Sequence, residues 1–141
     1  MAYDGNNIFA RMVRGEIPCI RVHEDAETLA FMDIMPQADG HTLVIPKIAG
    51  ENLFDSPPGS VAAAIRTTQR VARAVQKAFA PPGLIVTQFN GAAAGQTVFH
   101  LHFHIVPVYA SGAWRPHARE KADPEKLEAQ AVRIRAALAT G

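Results

Sequence analysis

Cysteine is almost missing from this sequence: Cys19 stands alone among 141 residues. One chain therefore builds no disulfide framework and no cysteine-based zinc site, and the usage fits a reducing compartment. An excess of one charge is missing too. Fourteen Lys and Arg face thirteen Asp and Glu, for a formal net charge of +1. That balance argues against non-specific nucleic-acid binding, which needs a clustered basic footprint. No apolar run approaches the roughly 20 residues of a membrane helix. The opening stretch, MAYDGNNIFARMVRGE, mixes both signs and holds no apolar signal core. There is no internal repeat and no long low-complexity segment. The expectation is a cytoplasmic protein read in full from Met1, with no nucleic-acid or membrane partner.

What is present suits a packed core. Apolar residues make up 48% of the chain, enough for one compact domain over 1–141. Asn6 or Asn7 is a plausible N-cap for a short helix with the stripe Ile8, Phe9, Met12 and Val13, closed by Gly15 and Pro18. IRVHED and TLAFMDI read as strands, MPQADG as a loop, and HTLVIP as a buried strand ended by Pro46. The longest helix is expected from about 56 to 80, burying Val61, Ile65, Thr68, Ala72, Val75 and Phe79. Arg66, Arg70, Arg73 and Lys77 form its solvated side. LIVTQF and TVFHLHFHIVPV are two further strands, joined by the turn NGAAAG. Asp123 and Pro124 suit N-cap and first position of a last helix over about 123–139, with Leu127, Ala131, Ile134 and Leu138 on its face. Strands come mostly in adjacent runs, so the fold class is α+β with a mainly antiparallel sheet.

The stretch GQTVFHLHFHIVP carries three of the six histidines, at alternate positions. On a strand, His100, His102 and His104 share one face, and Leu101, Phe103 and Ile105 share the other, packed on the long helix. Three imidazoles in strict alternation each need a polar partner, so the histidine face calls for a function. A metal site is one reading. At about 3.3 Å per residue, His100 and His104 stand roughly 13 Å apart, too far for one tetrahedral ion. A two-histidine site would draw on His41, His23, Asp33 or His117. The other reading is phosphate chemistry. Imidazole titrates near neutrality and serves as donor, base, acid or nucleophile. His102, flanked on both sides, is the natural nucleophile, its second ring nitrogen donating to a backbone carbonyl. The preceding GAAAGQT turn offers backbone N–H groups, the Gln96 amide and the Thr97 hydroxyl to an anion.

HLHFHIV follows the pattern His-φ-His-φ-His-φ-φ, with φ apolar. IFARMVRGEIPCIRVHEDAETLAFMDIMPQADGHTLVIPK and NGAAAGQTVFHLHFHIVP extend the likeness over about residues 8–107. This combination resembles the histidine-triad (HIT) family, and within it the Hint branch. The resemblance implies a HIT-like fold: a sheet of about five strands, one long helix, a short N-terminal helix and a C-terminal helix. It implies hydrolysis or transfer at the α-phosphate of nucleoside phosphoramidates or dinucleoside polyphosphates. His102 would carry a covalent nucleotidyl intermediate, released by water as a nucleoside monophosphate. His104 would bond phosphate oxygens and help protonate the leaving group, His100 would support the network, and His41 would tune it. Asp33 would accept from ribose hydroxyls, Gln96 and Thr97 would hold phosphate, and Ile8, Phe9, Phe31 and Ile34 would wall a purine base. A homodimer is implied, with no cofactor.

The chain departs from that pattern twice. Bacterial relatives carry a Cys-x-x-Cys zinc site where this chain has Asn7 and Ala10, so no structural zinc is expected. Relatives often have Asn-Asn-Gly before the turn; here Phe89 takes the first Asn position, so Asn90 or another group substitutes for it or substrate preference has shifted. A nucleotide-binding protein with little turnover is the alternative function. Trp114 and His117 receive no role.

Overall fold

The computed structural model describes residues 2–110 and 120–140. Helix α1 (Ile8–Val13) opens at Asn7, whose side-chain oxygen accepts from the Ala10 N–H at 2.9 Å. This satisfies one of the donors that a helix start leaves bare. Five strands follow the expected runs: β1 (Arg21–Glu24), β2 (Thr28–Met32), β3 (Thr42–Pro46), β4 (Gly83–Thr87) and β5 (Phe103–Val108). They form one antiparallel sheet in the order β1-β2-β3-β5-β4. The long helix α2 (Pro58–Phe79) lies between β3 and β4, and α3 (Pro124–Thr140) closes the fold. Among the described residues no helix is long and apolar enough to cross a membrane.

β2 and β3 are buried at every residue, so alternation sorts their side chains between two packed faces. Ala30, Met32, Val44 and Ile105 meet Val71 and Val75 of α2 and Leu127, Ala131 and Ile134 of α3. Leu29, Phe31, Leu43 and Ile45 turn the other way, against Phe9 of α1. The histidine-bearing side of β5 belongs to this second face, which only a short helix covers. A depression is therefore left beside it.

Two sequence expectations shift. The buried line of α2 runs through Ala64, Thr67, Thr68, Val71, Ala74 and Val75, while Ile65 is 46% exposed. Small residues let the helix approach the sheet closely, whereas the expected stripe followed the bulkier side chains. The second shift concerns the histidines. Hydrogen-bonded pairing in β5 begins only at Phe103, so His100, at a bend, and His102 lie before it. Continuing the register of β3 with β5 would set Leu101 opposite Pro46, and proline has no N–H for a ladder. The Leu101 N–H instead donates to the Gly50 carbonyl at 2.9 Å. Packing still alternates: Leu101 and Phe103 lie against Ala64 and Val61 of α2.

Ile134 is fully buried where α3 meets both α2 and the sheet. Ile134→Ala should cost about 2–5 kcal/mol by leaving a cavity at that junction. Urea unfolding followed by circular dichroism measures it as a lowered midpoint with an unchanged slope.

Candidate active site

The depression on the α1 side of the sheet is a cavity of about 190 Å³ with a mostly apolar wall. α1 contributes Ile8, Phe9 and Met12. β2 and the loop after it contribute Phe31, Asp33 and Ile34, and the start of β3 adds His41 and Leu43. Thr97, Val98, His102 and His104 complete it. Ile8 and Ile34 are each 45% exposed at the rim, while Phe9 and Phe31 are buried and also belong to the core.

The ring nitrogens can be assigned from their partners, because a carbonyl only accepts and a backbone N–H only donates. His100 Nε2 lies 2.7 Å from the Pro46 carbonyl, so it carries a proton. His102 Nδ1 lies 2.7 Å from the His100 carbonyl and likewise carries one. A neutral His102 then holds its lone pair on Nε2. His41 Nδ1 accepts from the Gln37 N–H at 3.0 Å, so the proton of a neutral His41 is on Nε2. That atom stands 3.1 Å from His104 Nδ1 and 3.4 Å from Asp33 Oδ2. With His104 Nδ1 accepting, a neutral His104 bears its own proton on Nε2. The His102 and His104 rings are 5.0 Å apart, and the Phe9 ring meets His102 edge-on at 5.0 Å. A nitrogen lone pair and an N–H donor thus stand side by side at one end of an apolar cavity.

Several expected site residues lie elsewhere. His100 sits behind the cavity, not in its wall. Gln96 is only 3% exposed; its amide donates to the carbonyls of Glu51 at 2.6 Å and Val98 at 3.0 Å and accepts from the Gly91 N–H at 2.8 Å. Gly91 and Gly95, at φ of 96° and 108°, bend the loop so that this side chain folds back into it. Asn90 accepts from the Leu53 N–H at 2.9 Å and pairs with Gln88. Both side chains bond within and beside the turn, and neither lines the cavity. Phe89 packs its ring 5.4 Å from that of His104. His23 pairs with Asp25 on the surface. Trp114 and His117 lie outside the described residues.

Sequence reasoning missed Met12, Leu43, Val98 and the Gln37 N–H. The last is a main-chain group that leaves no side-chain signal. Asp33, His41 and His104 place one ligand atom each within 4.8 Å of one another, a spacing compatible with a metal ion. The proton assignment opposes it. A metal on His41 Nε2 would displace the proton there, while Nδ1 must stay bare to accept from Gln37. Nor do Asn7, a helix cap, and Ala10, a buried core residue, offer thiolates for zinc.

Burial holds His100 and His102 below the usual imidazole value of 6.5, against the opposing pull of their bonds to carbonyls. Below about pH 6.5 the unfolded chain therefore binds more protons than the folded one. Stability contributed by these rings is fully present above that value and is lost as pH falls through the window beneath it. Thermal unfolding at about pH 7.5 and about pH 5.5 should show the lower Tm in acid, with a smaller gap in His102→Ala.

This arrangement has counterparts. The HIT domain matches residues 14–111, a span holding all five strands together with the alternating histidines. The protein named Protein hit of Bacillus subtilis is 40% identical over 128 residues, covering 87% of this chain and 88% of that protein. The adenosine 5′-monophosphoramidase hnt1 of Schizosaccharomyces pombe is 40% identical over 100 residues, 71% of this chain and 72% of its own length. Among solved structures, a Hit-like protein involved in cell-cycle regulation from Bartonella henselae superposes with a TM-score of 0.91 at 50% identity, over 97% of this chain and 99% of that one. The family match over residues 14–111 and the likeness over most of each chain lead to one assignment: this protein belongs to the histidine-triad (HIT) family.

Proposed function

We propose that the protein is a nucleotide hydrolase or transferase acting at the α-phosphate of nucleoside phosphoramidates or dinucleoside polyphosphates. The observation that carries this reading is the His102 Nδ1–H bond to the His100 carbonyl, which places the lone pair of a neutral ring on Nε2. Burial favours that neutral form. Nε2 attacks phosphorus, and the bond to the leaving group breaks as the phosphorus–nitrogen bond forms. The His104 N–H donates to the oxygen or leaving atom on which charge gathers. Water then cleaves the phosphorus–His102 bond and frees the nucleoside monophosphate. Ile8, Phe9, Phe31 and Leu43 offer apolar surface to a flat base. Asp33 accepts from ribose hydroxyls while its other oxygen is held by the Met35 N–H at 2.8 Å. The activity named for the S. pombe relative supports an adenosine phosphoramidate as substrate.

The test is intact-protein mass spectrometry after brief mixing with adenosine 5′-phosphoramidate and a quench without acid. Wild type should gain one nucleoside monophosphate and release AMP with or without EDTA; His102→Ala should do neither yet still bind nucleotide. Nucleotide binding without adduct or release in wild type would replace this reading with that of a low-turnover binding protein.

We also propose that the protein acts as a homodimer. Among the described residues β4 is an edge strand of the sheet, and its Ile85 and Val86 are exposed together with Ile65 of α2. Leu84, Val86, Ile65 and Ala72 line a groove between that strand and the helix. Open edges and apolar surface of this kind call for a cover, and a second copy extends the sheet. Light scattering should give the mass of two chains, and Val86→Arg should give the mass of one.

A further inference from the structure

His100 is the one triad histidine that lines no part of the cavity, yet it is almost fully buried. Its Nε2 is used by the Pro46 carbonyl. In the neutral ring, which burial favours, Nδ1 is an acceptor and needs a donor. The hydroxyl of Tyr3 stands 2.6 Å from it, and the two rings meet edge-on at 5.8 Å. Tyr3 precedes α1 by several residues and shares no strand or helix with the triad. The contact therefore crosses 97 positions of sequence to reach one buried nitrogen.

Resting on the function proposed above, we infer that Tyr3 is a positioning residue for His102: by donating to His100 Nδ1 it fixes the ring and backbone of residue 100, whose carbonyl orients the nucleophile. Three bonds hold that peptide. The His100 ring is held between Tyr3 and Pro46, and the next N–H, of Leu101, is held by Gly50. The held carbonyl is the acceptor for His102 Nδ1–H at 2.7 Å. Without the tyrosine hydroxyl, His100 Nδ1 lacks this donor and the ring is free to exchange tautomer or rotate. The Pro46 bond then loosens, the carbonyl of residue 100 shifts, and His102 no longer keeps its proton on Nδ1 alone. A fraction of molecules then presents Nε2–H, which cannot attack phosphorus. Tyr3 touches no substrate in this scheme, so its loss acts on turnover rather than on nucleotide binding.

The experiment compares wild type with Tyr3→Phe, which keeps the ring and removes the hydroxyl. Nitrogen-15 spectra of histidine-labelled protein should show His102 in wild type as the Nδ1–H tautomer only, and as a mixture in Tyr3→Phe. With adenosine 5′-phosphoramidate, kcat should fall about tenfold, the factor that one hydrogen bond of ordinary net strength supports, while KM moves less than about twofold. Unchanged tautomer and unchanged kcat in Tyr3→Phe would overturn the inference. So would an equal loss of Tm and activity without a tautomer change, because that is mere destabilisation. If wild type itself releases no AMP, the proposed function fails, and the nitrogen spectra still decide whether Tyr3 sets the His102 tautomer.

Discussion

Everything at the candidate site hangs on where the ladder between β3 and β5 stops. Pro46 has no N–H to continue it, and from that point side chains take over the work of the backbone. The His100 ring bonds the Pro46 carbonyl, Leu101 bonds Gly50, and His102 bonds the carbonyl of residue 100. In a continued strand the Leu101 N–H would have faced the Pro46 carbonyl across the sheet. Outside it, the carbonyl of His100 is the acceptor for the His102 Nδ1–H. The candidate site begins where regular structure ends.

The two packed faces of the sheet explain why the cavity is where it is. One face carries α2 and α3 and is closed by Val71, Val75, Leu127 and Ile134. The other carries only the short α1, so Phe9 and Phe31 serve both as core and as wall. Apolar residues that stabilise the fold thereby also exclude water from the end of the cavity holding His102 and His104. Lower dielectric strengthens the directed bonds among the histidines and disfavours the charged forms of His100 and His102.

Much of this was legible in the chain. Alternation at 100–105, the N-cap at Asn7 and the start of α3 after Asp123 are local signals, and local geometry obeys them. Ile8, Phe9, Phe31 and Ile34, which the family likeness offers as walls for a base, line the cavity, and Asp33 and Thr97 lie beside them. What could not be read was tertiary. Gln96 and Asn90 have side chains that suit a phosphate, but the bend at Gly91 and Gly95 turns Gln96 onto the carbonyls of Glu51 and Val98, and Asn90 meets Leu53. Ile65 is as apolar as any core residue, yet small neighbours on α2 sit closer to the sheet and take the contact. Partnerships such as Tyr3 with His100 join segments with no shared period, so no pattern announces them.

The bond from Gln37 to His41 carries a consequence for mutational tolerance. The donor is the main chain, not the glutamine amide. Any amino acid with an N–H inherits it, and only proline abolishes it. The acceptor role of His41 Nδ1 is thus insulated from substitution at position 37. The residue itself also borders the cavity. One position in the loop therefore meets the site twice, through its main chain at His41 and at the cavity wall.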